Sequence, residues 1–234
     1  MAEPILVVEA LARCPLFARS DETTLQAVAS AMRRRRFRRN EVVFHQGDPG
    51  DSLHVVGSGA VKISLPSADG DEAIIATLWP SDYFGELALL DDAPRSATAT
   101  AVEPTETFVL ARSVFRELLE RDAALRDGLL TGLARELRRL TTHVEELHFL
   151  DLAGRLAARL ARLAREVAPA DGRAGAEVSL DWPFTQADLA AMIGGTRQSV
   201  NRLLSDLLDN GLVRIERDRL VISDLAALER RAER

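Results

Sequence analysis

One short segment of the chain combines residues that suit a sugar phosphate. Gly85 permits a positive φ and a close backbone approach to a ligand, and Glu86 supplies a carboxylate for sugar hydroxyls. Leu87–Leu90 can form one helical turn whose N–H groups face an anion. Arg95 offers a fork of donors to a phosphate, and Ser96 adds a hydroxyl donor. These residue types and spacings predict a site for a phosphorylated sugar.

A second segment, nearer the C-terminus, carries side chains that suit DNA. Arginine can bond bidentately to guanine and glutamine to adenine, whereas phosphate contacts position a protein without specifying sequence. The candidates for base contact share the outward face of one predicted helix, near its N-terminus, and are Arg197, Gln198, Asn201 and Arg202. The candidates for phosphate contact are Thr185, Gln186, Thr196 and Ser199.

Two short helices joined by a Gly-Gly turn would hold these DNA-binding side chains. Thr185 begins a capping box for the first helix. Thr196 caps the second, which is predicted over Arg197–Asp209. Two short strands follow, Val213–Ile215 and Leu220–Ile222. The pattern predicts a helix-turn-helix with a wing hairpin.

The elements around the sugar-phosphate segment are short and rich in β-forming residues. The predicted strands are Val42–Phe44, Leu53–Val56, Ala60–Leu65, Ala73–Leu78 and Thr107–Leu110. Turns rich in glycine and aspartate separate them, and this spacing predicts a sandwich or barrel. A helical stretch, Pro4–Met32, precedes the strands, with Ser20 as a predicted N-cap within it.

A long helical signal begins at Ser113. Six apolar residues then alternate steps of three and four: Leu130, Leu133, Leu137, Leu140, Val144 and Leu147. Such a heptad seam is typical of a two-stranded contact, with packing on the helix's own domain as the alternative. Asp151 is a good N-cap for a further helix over Leu152–Val167, so Phe149–Asp151 is a predicted hinge. Residues 168–176 predict a loop.

Charge is distributed unevenly along the 234 residues. The net charge of −6 lies entirely within residues 1–150, whereas residues 151–234 carry 13 arginines and 13 acidic residues. A neutral domain can still present a small basic face to DNA. Six arginines surround Phe37 in Arg33–Arg39. We favour a solvated face beside the first strand over a nucleic-acid patch, because the run lies far along the chain from the predicted DNA-binding helices.

The segment from Phe84 to Ala97 resembles the phosphate-binding cassette of the cyclic-AMP receptor protein and FNR superfamily. The likeness covers most of the chain, from the Gly47–Gly59 turn pattern through the hinge to the helix-turn-helix. It implies that Glu86 binds the ribose 2′-hydroxyl of a cyclic nucleotide. It implies that the cyclic phosphate is held by Arg95, Ser96 and the amides of Gly85–Ala88, in a site that ends at Ala97.

The resemblance implies an α+β protein in three parts. Residues 1–112 would form a cyclic-nucleotide-binding β-roll, a double-stranded β-helix of jelly-roll type with an N-terminal helix. Residues 113–150 would form a dimerisation helix and hinge, and residues 151–234 a winged helix-turn-helix domain. The implied function is a homodimeric transcription regulator gated by a cyclic nucleotide, with palindromic double-stranded DNA and RNA polymerase as partners.

Two positions depart from the family pattern. Members that bind cyclic AMP contact the adenine with a polar pair on the dimer helix, and that pair falls on Leu140 and Thr141. Leu140 offers no hydrogen bond, whereas Thr141 or Thr142 can. Cyclic AMP is therefore the first candidate, with cyclic GMP or another cyclic nucleotide left open. Gln198 replaces a common glutamate of the recognition helix, so we expect an altered preference at one base pair of each half-site.

Several classes of protein are not expected. With Cys14 as the single cysteine, an iron–sulfur cluster lacks its ligands, and four scattered histidines predict no metal site. No apolar run approaches the roughly 18 residues that span a bilayer, and no basic region marks a secretory signal, so we expect a cytoplasmic protein. No catalytic arrangement or Walker loop supports an enzyme. Two alternatives stay open: the same DNA-binding regulator with a ligand-independent or unknown-ligand roll, and a nucleotide-binding regulatory subunit of a partner enzyme.

Overall fold

The computed structural model of the chain describes residues 4–167, 177–181, 183–216 and 219–232. The chain divides into two compact units, Met1–Arg138 and Arg139–Arg234, and the boundary falls within one long helix. The predicted loop over residues 168–176 lies outside the described residues.

The first unit consists mainly of short strands. Its helices are α1 (Pro4–Arg13), α2 (Glu22–Ala31), α3 (Leu87–Leu90), α4 (Arg112–Arg121) and α5 (Ala123–Phe149), the last of which continues into the second unit. Its strands are β1 (Arg33–Phe37), β2 (Val42–Phe44), β3 (Ser52–Ser58), β4 (Val61–Pro66), β5 (Glu72–Leu78), β6 (Tyr83–Phe84), β7 (Thr98–Ala101) and β8 (Thr105–Ala111). All five predicted strands are present, whereas β1, β6 and β7 were not predicted.

Two four-stranded antiparallel sheets form the body of this unit, in the orders β1-β8-β3-β6 and β2-β7-β4-β5. An apolar cluster joins Val56 and Phe84 of the first sheet to Val61 and Ala99 of the second, so the sheets pack face to face. A larger cluster brings α1, α2, α4 and the start of α5 against β3 and β8. The predicted α+β class is confirmed, with a β-rich first domain.

The N-terminal region differs from its prediction in two ways. The predicted helical stretch is interrupted between α1 and α2. The N-cap of α2 is Asp21 and not Ser20, because the Thr24 amide donates to Asp21 Oδ1 at 2.7 Å. Ser20 Oγ instead donates to Asp122 Oδ2 at 3.2 Å. An aspartate and a serine are equally good caps, so the sequence alone could not choose between neighbours.

The arginine run is itself a strand and does not merely lie beside one. Its first five residues, Arg33–Phe37, form β1, which pairs with β8 at an edge of the first sheet. Arg34 and Arg36 form ion pairs with Glu106 of β8, and the guanidinium of Arg35 lies 5.1 Å from the ring centre of Phe37. The four arginines of the strand are exposed, which agrees with a solvated face.

Helix α5 is 27 residues long and carries the predicted seam. Its first turns bury Leu125 and Leu129 in the core of the first unit, and Leu133 packs against the same core. For the first turns of α5, the alternative interpretation, packing on the helix's own domain, is therefore correct. The other five seam residues are 36% to 68% exposed. We call them the α5 stripe: Leu130, Leu137, Leu140, Val144 and Leu147.

The second unit holds the predicted helix pair and a small sheet. Its further elements are α6 (Leu152–Val167), β9 (Val178–Asp181), α7 (Gln186–Ile193), α8 (Arg197–Asp209), β10 (Val213–Glu216), β11 (Arg219–Ile222) and α9 (Leu225–Ala232). Asp151 Oδ1 accepts from the Gly154 amide at 2.7 Å, which confirms the predicted cap of α6. The predicted wing strands β10 and β11 pair, and the unpredicted β9 adds to β11.

The described residues also bear on metals and membranes. Among them, no helix is both long enough and apolar enough to cross a bilayer. No group of three or more His, Cys, Asp or Glu side chains in the described ranges is arranged to hold a metal ion. Cys14 is fully buried in the first core, and this burial raises the pKa of its thiol to about 12.

Candidate ligand-binding and DNA-binding sites

The sugar-phosphate segment begins where β6 ends. Gly85 has a φ of 86°, which glycine adopts without strain. A Cβ at this position would lie 2.5 Å from Arg95 Nη1 and 3.1 Å from the Ser52 carbonyl oxygen. Both the backbone and the packed arginine therefore require glycine here. The fold brings these two predicted site residues, Gly85 and Arg95, into direct contact.

Arg95 is the buried centre of the segment, with 4% of its surface exposed. Its Nη1 donates to the Gly85 carbonyl at 2.7 Å. Its Nη2 donates to the carbonyl and the hydroxyl of Ser52, at 2.9 and 3.2 Å. The guanidinium lies over the ring of Phe44 at 4.1 Å, and Asp51 Oδ1 is 3.6 Å from Nη2.

This arrangement leaves the positive charge of Arg95 weakly neutralised. Its hydrogen bonds go to uncharged oxygens, and the side chain of Asp51 is 88% exposed. Within the described part of the chain, the buried Nε of Arg95 has no hydrogen-bond partner. Burial lowers the pKa of the guanidinium because it disfavours the charged form, although the negative charges of Asp51 and Glu86 oppose this shift. An anion at this position would favour the charged form.

Glu86 lies in surroundings that favour its neutral form. Burial raises the pKa of its carboxyl group to about 7. The negative charge of Glu136 on α5 raises the pKa as well, whereas the backbone N–H of Glu86 and the positive charge of Arg95 lower it. The side chain does not cap α3. The ionisation of the Glu86 carboxyl group therefore changes near neutral pH.

The other predicted ligand residues differ in their surroundings. Ala88 and Ala97 are buried, whereas Leu87 and Ser96 are exposed. The two alanines can contribute backbone groups only. Thr141 lies on α5 and is exposed.

Two arginines that the sequence analysis missed hold the segment in place. Arg112 donates to the Ala88 carbonyl at 2.8 Å, and Arg116 donates to the Leu89 carbonyl at 3.1 and 3.2 Å. Both form ion pairs with Asp92. Their spacing of four residues puts them on one face of α4. The sequence shows this spacing, but nothing in it indicates which loop that face of α4 contacts.

Helices α7 and α8 form the predicted helix-turn-helix. The Asp188 amide donates to the Thr185 hydroxyl at 3.1 Å, and the Thr185 amide donates to the Asp188 carboxylate at 2.8 Å, which completes the capping box. The C-cap of helix α7 is Gly194, whose φ is 68°. The Thr196 hydroxyl caps α8 by accepting from the Ser199 amide at 3.2 Å. Both caps are as predicted.

Helix α8 has one apolar and one polar face. It buries Val200, Leu204 and Leu207. The candidates for base contact are all exposed, namely Arg197, Gln198, Asn201 and Arg202. Gln186 Nε2 on α7 donates to Asn201 Oδ1 at 3.1 Å, and this contact uses the oxygen of the Asn201 amide rather than its N–H donors.

The candidates for phosphate contact are already engaged in local bonds. The Thr185 hydroxyl donates to Asp188 Oδ2 at 2.7 Å, so this proton has to turn away before it can reach a phosphate. The hydroxyls of Thr196 and Ser199 lie 3.0 Å apart, and only one of them can donate to the other. The remaining hydroxyl proton of this pair is therefore available to a phosphate.

Comparison with known proteins agrees with both parts of this geometry. Residues 34–122 match the cyclic nucleotide-binding domain, and residues 154–231 match the Crp-like helix-turn-helix domain. The CRP-like cAMP-activated global transcriptional regulator of Mycobacterium tuberculosis is 34% identical over 96% of this chain and 99% of its own. The chain belongs to the Crp/Fnr family of transcription regulators.

Two further known proteins are similar to this chain. The cyclic AMP receptor protein of Thermus thermophilus is 32% identical over 92% of this chain and 95% of its own. The structure of FixK2 from Bradyrhizobium japonicum shares the fold, with a TM-score of 0.76 over 85% of this chain and 96% of that chain at 24% identity. As a Crp-like protein the chain is a DNA-binding regulator with a cyclic-nucleotide-binding domain, and it is not an enzyme. The regulatory-subunit alternative, which lacked DNA binding, is therefore wrong.

Proposed function

We propose that this Crp/Fnr regulator is a homodimer whose binding to a palindromic DNA site is gated by cyclic AMP. The observation that carries the proposal is the surroundings of Arg95. Its buried guanidinium is held by uncharged oxygens, and its Nε has no partner in the described part of the chain. A cyclic phosphate supplies the missing negative charge.

The proposed ligand contacts all come from the cassette, the segment from Phe84 to Ala97. Arg95 and Ser96 bind the cyclic phosphate together with the N–H groups of Gly85–Ala88, and the site ends at Ala97. Glu86 accepts a hydrogen bond from the ribose 2′-hydroxyl. The contact between Gly85 and Arg95 supports this grouping, as does the position of Glu86 at the start of α3.

The base is less strongly constrained than the sugar phosphate. Leu140 offers no hydrogen bond, and Thr141 is the exposed polar neighbour that we propose contacts the base. The names of two relatives that match along most of their length refer to cyclic AMP. Cyclic AMP is therefore the proposed ligand, and cyclic GMP is the alternative that the experiment below includes.

The proposed dimer forms along the α5 stripe, whose apolar residues are exposed and follow the heptad spacing of a two-stranded contact. Each recognition helix α8 would contact bases through Arg197, Gln198, Asn201 and Arg202. Phosphates would be contacted by Thr185, Gln186, Thr196 and Ser199. Two such units fit half-sites about 34 Å apart, one DNA turn. RNA polymerase is the proposed further partner, and the cytoplasm the proposed location.

The nucleotide acts only through its different affinity for two packings of the paired α5 helices. Phe149–Asp151, where α5 ends and α6 begins, is the proposed hinge that passes the change to the helix-turn-helix.

The proposal is tested by DNA binding with and without nucleotide. Fluorescence anisotropy would use a duplex selected from a random pool, with cyclic AMP, cyclic GMP or no nucleotide. We expect cyclic AMP to tighten DNA binding by about tenfold or more in the wild type. Arg95→Gln should stay at the ligand-free affinity, whereas the exposed control Arg121→Gln should respond like the wild type. Identical DNA affinity under all three conditions would contradict the gating.

One observation favours a second candidate, a regulator with a ligand-independent roll. The guanidinium of Arg95 already bonds to Gly85 and Ser52, so the segment can keep its shape without a nucleotide. In that case Arg95→Gln would bind DNA as the wild type does at every nucleotide concentration. Isothermal titration of the wild type with cyclic AMP would then show no heat of binding.

A further inference from the structure

A buried histidine on β3, His54, is linked to Arg95 through one side chain. Only 2% of the surface of His54 is exposed. Its Nε2 lies 3.3 Å from Ser52 Oγ, which is itself 3.2 Å from Arg95 Nη2. On the other side of the ring, Nδ1 lies 3.2 Å from Thr107 Oγ1 of β8. A chain of hydrogen bonds thus runs from β8 through His54 and Ser52 to the guanidinium.

Chemistry assigns the donors and acceptors of this chain. Ser52 Oγ lies 2.7 Å from Asp51 Oδ1, and an ionised carboxylate can only accept, so the Ser52 proton points to Asp51. The Ser52 oxygen then has to accept from its other neighbours. Arg95 can only donate, and His54 therefore donates through Nε2–H. Thr107 in turn donates to the unprotonated Nδ1 of His54.

The charge state of the ring preserves this assignment. Burial lowers the pKa of His54 to about 3, and the positive charges of Arg95 and Arg35 contribute, while Asp51 opposes them. A second proton on Nδ1, which would displace the Thr107 contact, is therefore absent at neutral pH. The ring keeps one N–H, and that N–H is directed at Ser52.

Packing holds the same ring in place. His54 stacks on Phe84, with ring centres 5.0 Å apart, and meets Phe44 edge-on at 5.9 Å. Phe44 is also the ring beneath the Arg95 guanidinium. The histidine and the arginine thus share one aromatic support as well as one hydrogen-bond partner, Ser52.

We propose that His54 is a positioning residue that fixes the orientation of the Arg95 guanidinium, through Ser52, before an anion binds. The inference rests on the proposed role of Arg95 as the phosphate ligand. Because the Ser52 hydroxyl is held by Asp51 and His54 together, it keeps Nη2 of Arg95 in one place. A preoriented guanidinium binds an anion without first having to be ordered, so affinity depends on His54 even though His54 does not touch the ligand.

Three variants separate positioning from packing. His54→Phe keeps an aromatic ring but removes the N–H, His54→Gln keeps an N–H donor, and Ser52→Ala removes the intermediary. Isothermal titration would measure the dissociation constant for cyclic AMP. We expect His54→Phe and Ser52→Ala each to weaken binding about three- to tenfold. The double variant should be no weaker than the weaker single one, and His54→Gln should recover most of the loss. The exposed control His45→Phe should bind like the wild type.

Additive losses in the double variant would show that the two residues act separately and would overturn the proposal. So would unchanged affinity in His54→Phe. A melting temperature measured for each variant identifies any that is merely unfolded, and Ser52→Ala keeps the test open if His54→Phe is.

A measurement on the nucleotide-free protein tests the role of His54 independently of the proposed function. Nuclear magnetic resonance of ¹⁵N-arginine-labelled protein reports the Arg95 Nε–H signal, which Arg95→Lys identifies by its loss. We expect this signal to exchange faster with water in His54→Phe than in the wild type. If it does so while the wild type binds no cyclic nucleotide, the proposed function fails, whereas the positioning of Arg95 by His54 is still supported. If the wild type binds cyclic AMP and the signal is unchanged in His54→Phe, only this inference fails.

Discussion

At the scale of single residues, Arg95 and Glu86 are two interacting ionisable groups of the first unit, of which Arg95 is buried and Glu86 is half-buried. Arg95 is surrounded mainly by uncharged oxygens and one aromatic ring. Glu86 is partly neutral at pH 7 because burial disfavours its charge. The charges of Glu86 and Arg95 affect each other, but less than they would in a direct ion pair. Both are therefore set to respond when a ligand brings its own charge and hydroxyls.

The raised pKa of Glu86 makes ligand-free stability depend on pH. Its folded pKa is about 7 against an ordinary value of 4.5, so its stabilising contribution is complete below pH 4.5 and is lost as the pH rises through 7. We expect Glu86→Gln to match the wild type at pH 5 and to be more stable by about 1–2 kcal/mol at pH 8. Thermal unfolding of the two proteins at both pH values measures this, with exposed Glu145→Gln as a control. A larger difference at pH 5 than at pH 8 would refute the assignment.

Gln198 is exposed near the start of α8, and its chemistry predicts which base it prefers. An amide can bond bidentately to adenine, whereas a carboxylate accepts from cytosine. We expect Gln198→Glu to change the selected base at one position of each half-site, with about 1–3 kcal/mol of discrimination. Selection from a random duplex pool measures this. Gln198→Ala serves as the control and should lose the preference without gaining another, and an unchanged consensus in both variants would remove Gln198 from the base contacts.

At the scale of elements, α5 changes character along its length. Its start is anchored by buried leucines, and from Leu130 onward most of the seam is exposed. An exposed heptad seam on a helix this long is typical of a two-stranded contact. The same helix thus belongs to a domain core at one end and to a proposed subunit interface at the other.

Charges placed on the α5 stripe should separate the proposed dimer. We expect Val144→Glu combined with Leu147→Glu to shift the protein to monomers at micromolar concentration, because four like charges would meet at a two-stranded seam. Sedimentation velocity measures this. Thr142→Glu, exposed on the same helix, adds a charge as a control and should leave the dimer intact. A wild type that sediments as a monomer would contradict the interface itself.

The sequence predicted well those elements whose beginnings depend on residues close to one another in the chain. The caps at Thr185 and Thr196 depend on neighbours three residues away, and both are confirmed. Strand β1 was missed because four consecutive arginines do not alternate, and β6 is only two residues long.

In the cassette, Phe84–Ala97, the sequence likewise indicated the local residues but not the distant residues that contact them. The types and spacing of Gly85, Glu86 and Arg95 indicated the chemistry. Their supports came from β3 and α4, and only the folded chain shows that Ser52, His54 and Arg112 meet the cassette.

At the scale of the whole molecule, DNA binding by a dimer depends on the phase of its half-sites. Two recognition helices on one face of the duplex require a separation of about one helical turn. Inserting five base pairs between the half-sites should weaken binding by roughly 100-fold, because only one helix can then engage at a time. Inserting ten base pairs restores the phase and should recover part of the affinity. Anisotropy with the three duplexes measures this, and equal affinity for all three would indicate that each chain binds alone.

Strand β1 lies at the outer position of its sheet, with β8 as its neighbour on one side among the described strands. The backbone groups on the other side of such a strand are a template to which a second copy can add, and proteins often guard these edges with charge. Four consecutive arginines, two of which pair with Glu106, give every copy the same net positive edge. Two such edges repel each other, so the arginine run would limit aggregation as the protein becomes concentrated in the cell.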